Sequence, residues 1–309
     1  DERSATQLSA LLLLFVFALI TMESYSRRRA RFYQQHARQM RTKRLHLTGA
    51  RGALAFATCG VPFLFGFLIP FVQLVVWSVQ TADTMLDLAF VVLALHSLAL
   101  AATTAILALL LALLLAYGKR LYPLPLVLAA TRVASMGYAI PGTIIAIGVI
   151  LPFAWIDNTV DGFARDTWNF STGLLLSGTL FALVFAYLVR FLAVSFGTID
   201  AALLKIKPSL DDAARTLGQG PRATLVRVHL PLLRTGLLTS VLLVFVDVMK
   251  ELPATLLLRP FNFNTLAVRA YELASDERLQ DAASASIMIV LTGLIPVLML
   301  SASISRGSR

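Results

Sequence analysis

Charged residues and cysteine are both scarce in this 309-residue chain. Only 14% of its residues are charged and 58% are hydrophobic, a balance well outside that of soluble globular domains. The single cysteine, Cys59, lies in an apolar stretch and excludes an internal disulfide. The four histidines, at positions 36, 46, 96 and 229, lack metal-ligand spacing. We therefore assign no metal site, no cofactor and no catalytic residue.

The chain instead contains long apolar segments. Seven of them are long enough to cross a membrane as helices, for which about 18 residues suffice. They are Leu8–Ser24, Ala53–Gln80, Leu88–Tyr117, Leu126–Trp155, Thr172–Phe196, Gly236–Leu258 and Ala282–Ile304. This pattern predicts an all-α fold, a polytopic membrane helix bundle.

The basic residues follow the topology of such a bundle. A net charge of +10 could indicate nucleic-acid binding, but the basic residues collect in alternate loops, above all 27–51 and Gly197–Leu233. That bias is typical of cytoplasmic loops. Thr81–Asp87, Ile156–Phe170 and Arg259–Gln280 are then outer loops. We expect no nucleic acid as partner. The basic residues either bind anionic membrane lipids or form a solvated charge run that fixes topology.

The cytoplasmic segment 208–231 carries helix signals that an ordinary loop lacks. Ser209 followed by Asp212 is typical of a capping box that opens a helix. Gly218 lies where a C′ residue would end that helix. Between them, four small or apolar residues recur with the helical period. They are Leu210, Ala213, Ala214 and Leu217.

A second short helix is expected after Gly218. Pro221 suits the first turn of a helix, and we expect Pro231 to end it. Neither helix is long enough to be stable alone in water, so tertiary packing or a partner must hold the pair. An amphipathic helix lying on the membrane surface is the alternative interpretation.

The same segment resembles a motif of the permease subunits of binding-protein-dependent ABC importers. The motif is Glu-Ala-Ala, three residues, Gly, nine residues, then an aliphatic residue, any residue and Leu-Pro. Here it reads Asp212-Ala213-Ala214, Gly218 and Val228-His229-Leu230-Pro231, with Asp in place of Glu. The resemblance implies a type I importer (MetI-like) transmembrane domain in the bacterial inner membrane and a coupling segment that docks on a cytoplasmic ABC ATPase dimer. The coupling residues it implies are Asp211, Asp212, Ala213, Ala214, Leu217, Gly218 and Pro231.

Charged residues within the span Gly236–Leu258 form a second cluster. Each charge near mid-membrane costs about 2.5–3.5 kcal/mol on insertion scales and usually faces a polar interior. Asp247 and Lys250 can pair at i and i+3, and Pro253 leaves a carbonyl without its helical donor. We predict that two groups of residues belong to the translocation pathway or its gate: Asp247, Lys250, Glu251 and Pro253, together with Pro141 and Gly142 of another span. The alternatives are an internally satisfied polar network for the first group and plain helix packing for Pro141 and Gly142.

The run that begins at Lys250 resembles the ferric-iron branch of the importer permeases. It reads Lys-Glu-Leu-Pro-Ala-Thr-Leu-Leu-Leu-Arg-Pro-Phe, followed by Asn264-Thr265-Leu266-Ala267. Seven spans with a basic linker after the first also resemble permeases of this branch that fuse two six-helix halves. On that resemblance, residues 1–25 are the last helix of a preceding half, 26–52 are a basic cytoplasmic linker, and 53–309 are the second half. The missing N-terminal half would then be a partner.

The longest outer loop begins with a mixed aromatic and polar stretch. Arg259, Phe261, Asn262 and Phe263 are predicted to dock a periplasmic or lipid-anchored substrate-binding protein. An ordered loop without that role is equally compatible with its composition.

The sequence lacks the phosphate-binding pattern G-x-x-x-x-G-K-[ST], so we expect no enzyme here and ATP hydrolysis on a separate subunit. The predicted function is a permease subunit for ferric iron delivered by an external binding protein. Permeases of the same family for thiamine, polyamine or phosphonate are alternatives. A different class is a secondary transporter driven by an ion gradient, with Asp247, Lys250 and Glu251 as its coupling charges.

Overall fold

The computed structural model describes residues 47–307, together with Leu14, Ala18 and Met22. Apart from these three residues, the predicted first span, Leu8–Ser24, lies outside the described residues, as does most of the predicted linker 26–52. The chain divides into two compact units, one up to Gln80 and one from Thr81 onward. All regular structure in the described part is helical.

Six helices in the described part are long and apolar enough to cross a membrane. They are α1 Gly49–Gln80, α3 Leu88–Leu121, α5 Gly142–Trp168, α6 Leu180–Leu204, α8 Pro221–Met249 and α11 Leu279–Gly307. Five shorter helices connect them. These are α2 Ala82–Met85, α4 Pro125–Ala134, α7 Pro208–Thr216, α9 Pro253–Leu258 and α10 Leu266–Ser275. The predicted all-α membrane helix bundle is confirmed.

Helix α1, in the first unit, continues past Pro70. Its residues Leu64–Leu68 form a π turn that ends two residues before Pro70, and the N–H of Ile69 donates to the Leu64 carbonyl. Proline has no N–H and its ring crowds the preceding turn, and a π bulge provides the wider turn that relieves this crowding. The helix therefore continues to Gln80 as one long span.

The core of the second unit lies where α3, α6 and α8 pack pairwise. The buried face of α3 is a stripe of alanines at helical spacing, Ala101, Ala105, Ala108 and Ala112, each fully buried. Small residues allow helix backbones to approach closely in a membrane. Within this core, the hydroxyl of Ser195 on α6 lies 3.2 Å from the Ala108 carbonyl, to which it donates, and shares a hydrogen bond of 2.6 Å with the hydroxyl of Ser240 on α8. The three helices are thus joined by polar contacts inside an apolar bundle.

Two predicted spans are interrupted in the structure. The span predicted at Leu126–Trp155 is broken after Ala134, and a 3-10 turn, Gly137–Ala139, leads to Pro141 before α5 begins. The residue before a proline is biased toward extended backbone, which ends the helical path there. The span predicted at Gly236–Leu258 is likewise broken between Met249 and Pro253.

The span predicted at Thr172–Phe196 begins later, at Leu180, because two carboxylates bind the preceding backbone. Asp157 of α5 accepts from the N–H groups of residues 175, 176 and 177 at 3.2, 3.0 and 2.7 Å. Asp161 accepts from the N–H of Thr172 at 2.8 Å. These hydrogen bonds hold the loop before α6 against α5. Helix α5 itself extends through most of the predicted outer loop Ile156–Phe170, which is therefore largely helical.

Candidate coupling and translocation sites

Helix α7 spans nine residues of the predicted coupling segment. Pro208 occupies its first position and Lys207 precedes it as a cap residue without a side-chain hydrogen bond. The predicted capping box at Ser209 is therefore wrong, because Ser209 already lies inside the helix. At the other end Gly218 has a φ of +75°, and its N–H donates to the Arg215 carbonyl at 2.9 Å. This left-handed glycine ends α7 as predicted.

The second helix of the segment is the beginning of a membrane span. Pro221 lies at its first position, as predicted. Pro231 does not end it, because residues Leu225–His229 form a π turn and the helix continues to Met249. The arrangement repeats that of Pro70 in α1, with the proline two residues after a π turn. The predicted pair of short helices is thus one short helix followed by a long one.

The predicted apolar face of α7 is divided between the two sides of the helix. Among the described side chains of α7, Ala214 alone is buried. Leu210 is 41% exposed and Leu217, which caps the helix, is 78% exposed, while Ala213 and the predicted coupling carboxylate Asp212 are also exposed. We call these four exposed residues, Leu210, Asp212, Ala213 and Leu217, the outer face of α7.

Asp211 points the other way, into the second unit. Its Oδ2 accepts from Arg120 Nη2 at 2.6 Å and from Arg120 Nε at 3.0 Å. Its Oδ1 lies 2.8 Å from Nε2 of His229. Arg120 also donates to the carbonyls of Leu203 and Ile206, at 2.7 and 3.0 Å. One guanidinium therefore connects α3, the end of α6 and α7.

An aromatic residue completes this cluster. The ring of His229 is fully buried and meets Tyr117 edge-on, with centroids 5.4 Å apart. The Tyr117 hydroxyl donates to the Pro221 carbonyl at 2.7 Å. We call Tyr117, Arg120, Asp211 and His229 the coupling cluster. Of these four residues, the sequence predicted a coupling role only for Asp211, because no local pattern relates Tyr117, Arg120 and His229 to it.

The two interrupted spans meet at a buried carboxylate. Glu251 is 6% exposed, and its Oε2 lies 3.5 Å from Nε of Arg190 on α6. A Cβ on Gly142 would lie 2.7 Å from Glu251 Oε1 and 3.3 Å from Pro253 Cβ, and would overlap the Arg190 guanidinium. The structure therefore brings together three of the predicted pathway residues, Gly142, Glu251 and Pro253. It adds Arg190, which the sequence did not indicate for this role.

Much of this site is satisfied internally. Glu251 Oε1 accepts from the N–H of Ala254, and the Glu251 carbonyl accepts from the Thr255 hydroxyl at 2.6 Å. Lys250 pairs with Asp247 at 2.9 Å, as predicted from their spacing. Within the described part, Nε and Nη1 of Arg190 are buried without a hydrogen-bond partner. Arg190, whose side chain is 20% exposed, is held by the 3.5 Å contact with Glu251 and by the ring of Phe191, whose centroid lies 5.7 Å from its Cζ.

Pro141 lies just outside this contact. It precedes α5 as its cap residue, with φ −55° and ψ 139°. Since it interrupts the predicted span and places Gly142 against Arg190 and Glu251, its position is compatible with both the predicted pathway role and plain packing.

The predicted docking residues occupy the turn between α9 and α10. Phe261 is 99% exposed, and Asn262 next to it has a φ of +64°. Phe263 instead stacks on His96 with ring centroids 4.8 Å apart. Arg259 pairs with Glu272 of α10 at 3.0 Å. The turn is thus ordered by Arg259 and Phe263, and it presents Phe261 outward.

Comparison with known proteins agrees with these features. The sequence pattern of the family described as "Binding-protein-dependent transport system inner membrane component" matches residues 108–307. The Fe(3+)-transport system permease protein FbpB 2 of Haemophilus influenzae is 25% identical over 306 residues, covering 97% of this chain and 57% of that protein. The putative 2-aminoethylphosphonate transport system permease protein PhnV of Salmonella typhimurium is 31% identical over 127 residues, covering 41% of this chain and 48% of that protein. The chain spans about half the length of these two relatives.

Solved structures show the same fold. The crystal structure of a bacterial alginate ABC transporter in complex with an alginate pentasaccharide-bound periplasmic protein contains a chain that superposes with a TM-score of 0.64 at 17% identity. The match covers 84% of this chain and 94% of that chain. At this identity the likeness concerns the fold alone.

Proposed function

This chain belongs to the family of binding-protein-dependent transport system inner membrane components, and we propose that it is a permease subunit through which a cytoplasmic ABC ATPase drives the import of ferric iron. It is a multi-pass protein of the bacterial inner membrane with the predicted type I importer (MetI-like) fold. The observation that carries the proposal is the outer face of α7. Helix α7 is the proposed coupling helix.

The outer face of α7 has the properties of a docking surface. Leu210 and Leu217 expose apolar side chains on a segment that would be cytoplasmic by the positive-inside rule. Burying such side chains in a partner gains about 25 cal/mol per Å² of apolar surface. Asp212, on the same helix, is also exposed.

The chain itself carries no nucleotide-binding motif, so ATP would act through the partner. Closure of an ATPase dimer would move α7, and α7 is attached to membrane helices through Asp211. The spans would then alternate between outward and inward openings, a population shift set by the differential affinity of ATP for the two states.

Ferric iron is proposed as cargo because the similarity to FbpB 2 extends over 97% of this chain. The similarity to PhnV, higher in identity but limited to 41% of the chain, favours a phosphonate as second candidate. No group of three or more His, Cys, Asp or Glu among the described residues could hold a metal ion. Selection of the cargo would therefore occur on the external binding protein, for which Phe261 offers an exposed contact.

A secondary transporter fits the structure less well. Lys250 is paired with Asp247, and Glu251 has Arg190 as counter-ion, so each of the proposed coupling charges already has a partner of opposite charge. That class also leaves the outer face of α7 without a role.

The domain boundaries are proposed on the same resemblance. Residues 53–309 would be the second six-helix half of a fused permease, with 1–25 as the last helix of the first half and 26–52 as the linker between them. The share of FbpB 2 that is matched, 57%, supports this division.

Co-purification with the ATPase tests the proposal. Wild type is compared with Leu217→Ser and with a matched control, Leu204→Ser, since Leu204 is equally exposed (77% against 78%) but precedes α7. We expect wild type and the control to retain the ATPase and Leu217→Ser to lose most of it. Retention by Leu217→Ser at the level of the control would contradict the docking role.

The cargo is tested separately, by uptake in cells that carry the whole transporter. Radioactive ferric iron should accumulate in an ATP-dependent manner, whereas uptake of 2-aminoethylphosphonate in its place would assign the second candidate.

A further inference from the structure

The two sides of α7 differ in what they can do. The outer face is exposed, whereas Asp211 on the opposite side is 17% exposed in its side chain, and among the described residues it pairs α7 with Arg120 and with the imidazole of His229. A short helix buried through Ala214 alone has little apolar packing to fix it. Asp211 is therefore the principal attachment of α7 to the rest of the second unit.

Arg120 makes this attachment rigid. Its planar guanidinium donates through Nε and Nη2 to a single carboxylate oxygen and through Nη1 and Nη2 to the carbonyls of Leu203 and Ile206. Those carbonyls lie at and just beyond the end of α6, where the regular helical hydrogen bonds end; the Leu203 carbonyl also accepts from the N–H of Ile206. Charge-assisted hydrogen bonds of this kind are the strong ones. A lysine, with a compact point charge, cannot span the same three acceptors.

His229 brings α8 to the same carboxylate. It lies at the end of the π turn Leu225–His229, so the irregular turn that accommodates Pro231 also places the imidazole. Its Nε2 is 2.8 Å from Asp211 Oδ1. Tyr117 of α3 bonds to the first residue of α8 beside it. Residues of two membrane helices, α3 and α8, thus contact the carboxylate of Asp211, and Arg120 links the end of α6 to it.

We infer that Arg120 and His229 are positioning residues for coupling: with Asp211 they form a joint that transmits movement of α7 to α3, α6 and α8. The inference depends on the proposed function, in that α7 must be moved by an ATPase. It assigns separate tasks to adjacent acidic residues. Asp212 and Leu217 contact the partner, while Asp211 passes the displacement inward.

The test measures association and coupling in the same samples. The full transporter, with its ATPase and binding protein, is reconstituted in proteoliposomes. ATPase content, ATP hydrolysis and cargo imported per ATP hydrolysed are compared for wild type, Arg120→Met, Arg120→Lys and Asp211→Asn. Arg132→Met serves as control, because Arg132 is an exposed arginine outside the cluster.

If the joint transmits movement of α7, its loss should lower the cargo imported per ATP hydrolysed but leave the ATPase content almost unchanged. Arg120→Met and Asp211→Asn should keep ATPase content within about twofold of wild type while cargo per ATP falls about tenfold or more, since each removes charge-assisted hydrogen bonds. Arg120→Lys, which retains the charge, should give an intermediate value. The double variant Arg120→Met, Asp211→Asn should be no worse than either single one, because both remove the same contact.

Unchanged cargo per ATP in Arg120→Met would overturn the joint, and so would single effects that multiply in the double variant. Loss of the ATPase in Arg120→Met and Arg120→Lys alike would also overturn it, by assigning a purely structural role. If wild type itself binds no ATPase, the proposed function fails instead.

Discussion

A methyl group added at Gly142 should disturb the charge pair beside it. Gly142 begins α5 directly after Pro141, and its ideal Cβ position lies 2.7 Å from Glu251 Oε1 and overlaps the Arg190 guanidinium. Non-bonded carbon and oxygen atoms do not approach so closely. The substitution Gly142→Ala must therefore displace either the start of α5 or the two charged side chains.

The two responses have different costs. Displacing a helix by overpacking costs about 1–3 kcal/mol. Separating the charges would leave Glu251 buried without its counter-ion, and breaking a buried pair costs about 3–5 kcal/mol. Displacement of the start of α5 has the lower free-energy cost and is therefore the expected response. We expect Gly142→Ala to lower the free energy of unfolding by about 1–3 kcal/mol.

Gly148 in the same helix is a matched control. No heavy atom lies within 4 Å of its ideal Cβ, so Gly148→Ala should be neutral or stabilise the helix by about 0.5–1 kcal/mol. The free energy of unfolding of both variants is measured in mixed micelles. Equal stability of the two variants would refute the close packing of Gly142 against Arg190 and Glu251.

Three further single substitutions and one double variant test the docking turn, the loop before α6 and the charge pair itself. Phe261→Ala should leave the free energy of unfolding within about 0.5 kcal/mol of wild type but lower the stimulation of ATP hydrolysis by the binding protein; full stimulation would remove Phe261 from the docking surface. Asp157→Asn should destabilise the purified protein by at least about 1.5 kcal/mol, since three N–H groups lose a charged acceptor, and an unchanged stability would contradict that role. Arg190→Met should cost about 3–5 kcal/mol by leaving Glu251 unpaired. Adding Glu251→Gln should restore most of this loss, and a double variant as unstable as the single one would show that the pair is not what stabilises the site.

The local features of the chain could be predicted from its sequence. Apolar length alone located the six described spans, although not their ends. Gly218 and Pro221 were assigned correctly because a helix end depends on residues that are adjacent in sequence. The spacing of Asp247 and Lys250 likewise predicted their ion pair.

What could not be predicted depends on residues distant in sequence or on an uncommon turn. Pro231 looked like a helix end, since a proline normally is one, and only the π turn before it lets α8 continue. Arg120 and Asp211 are 91 residues apart, and no local pattern relates them. Helix α6 begins later in the sequence than predicted because Asp157 accepts hydrogen bonds from backbone N–H groups up to 20 residues away. Such contacts arise only once the helices have packed.

Thiol labelling at the outer face of α7 tests the central claim most directly. The chain has one cysteine, so Cys59→Ser gives a cysteine-free background in which Leu217→Cys is a unique probe. The account predicts that a membrane-impermeant reagent reaches this cysteine only from the cytoplasmic side, and that the bound ATPase slows the reaction. Labelling from the outside, or an equal rate with and without the ATPase, would contradict it.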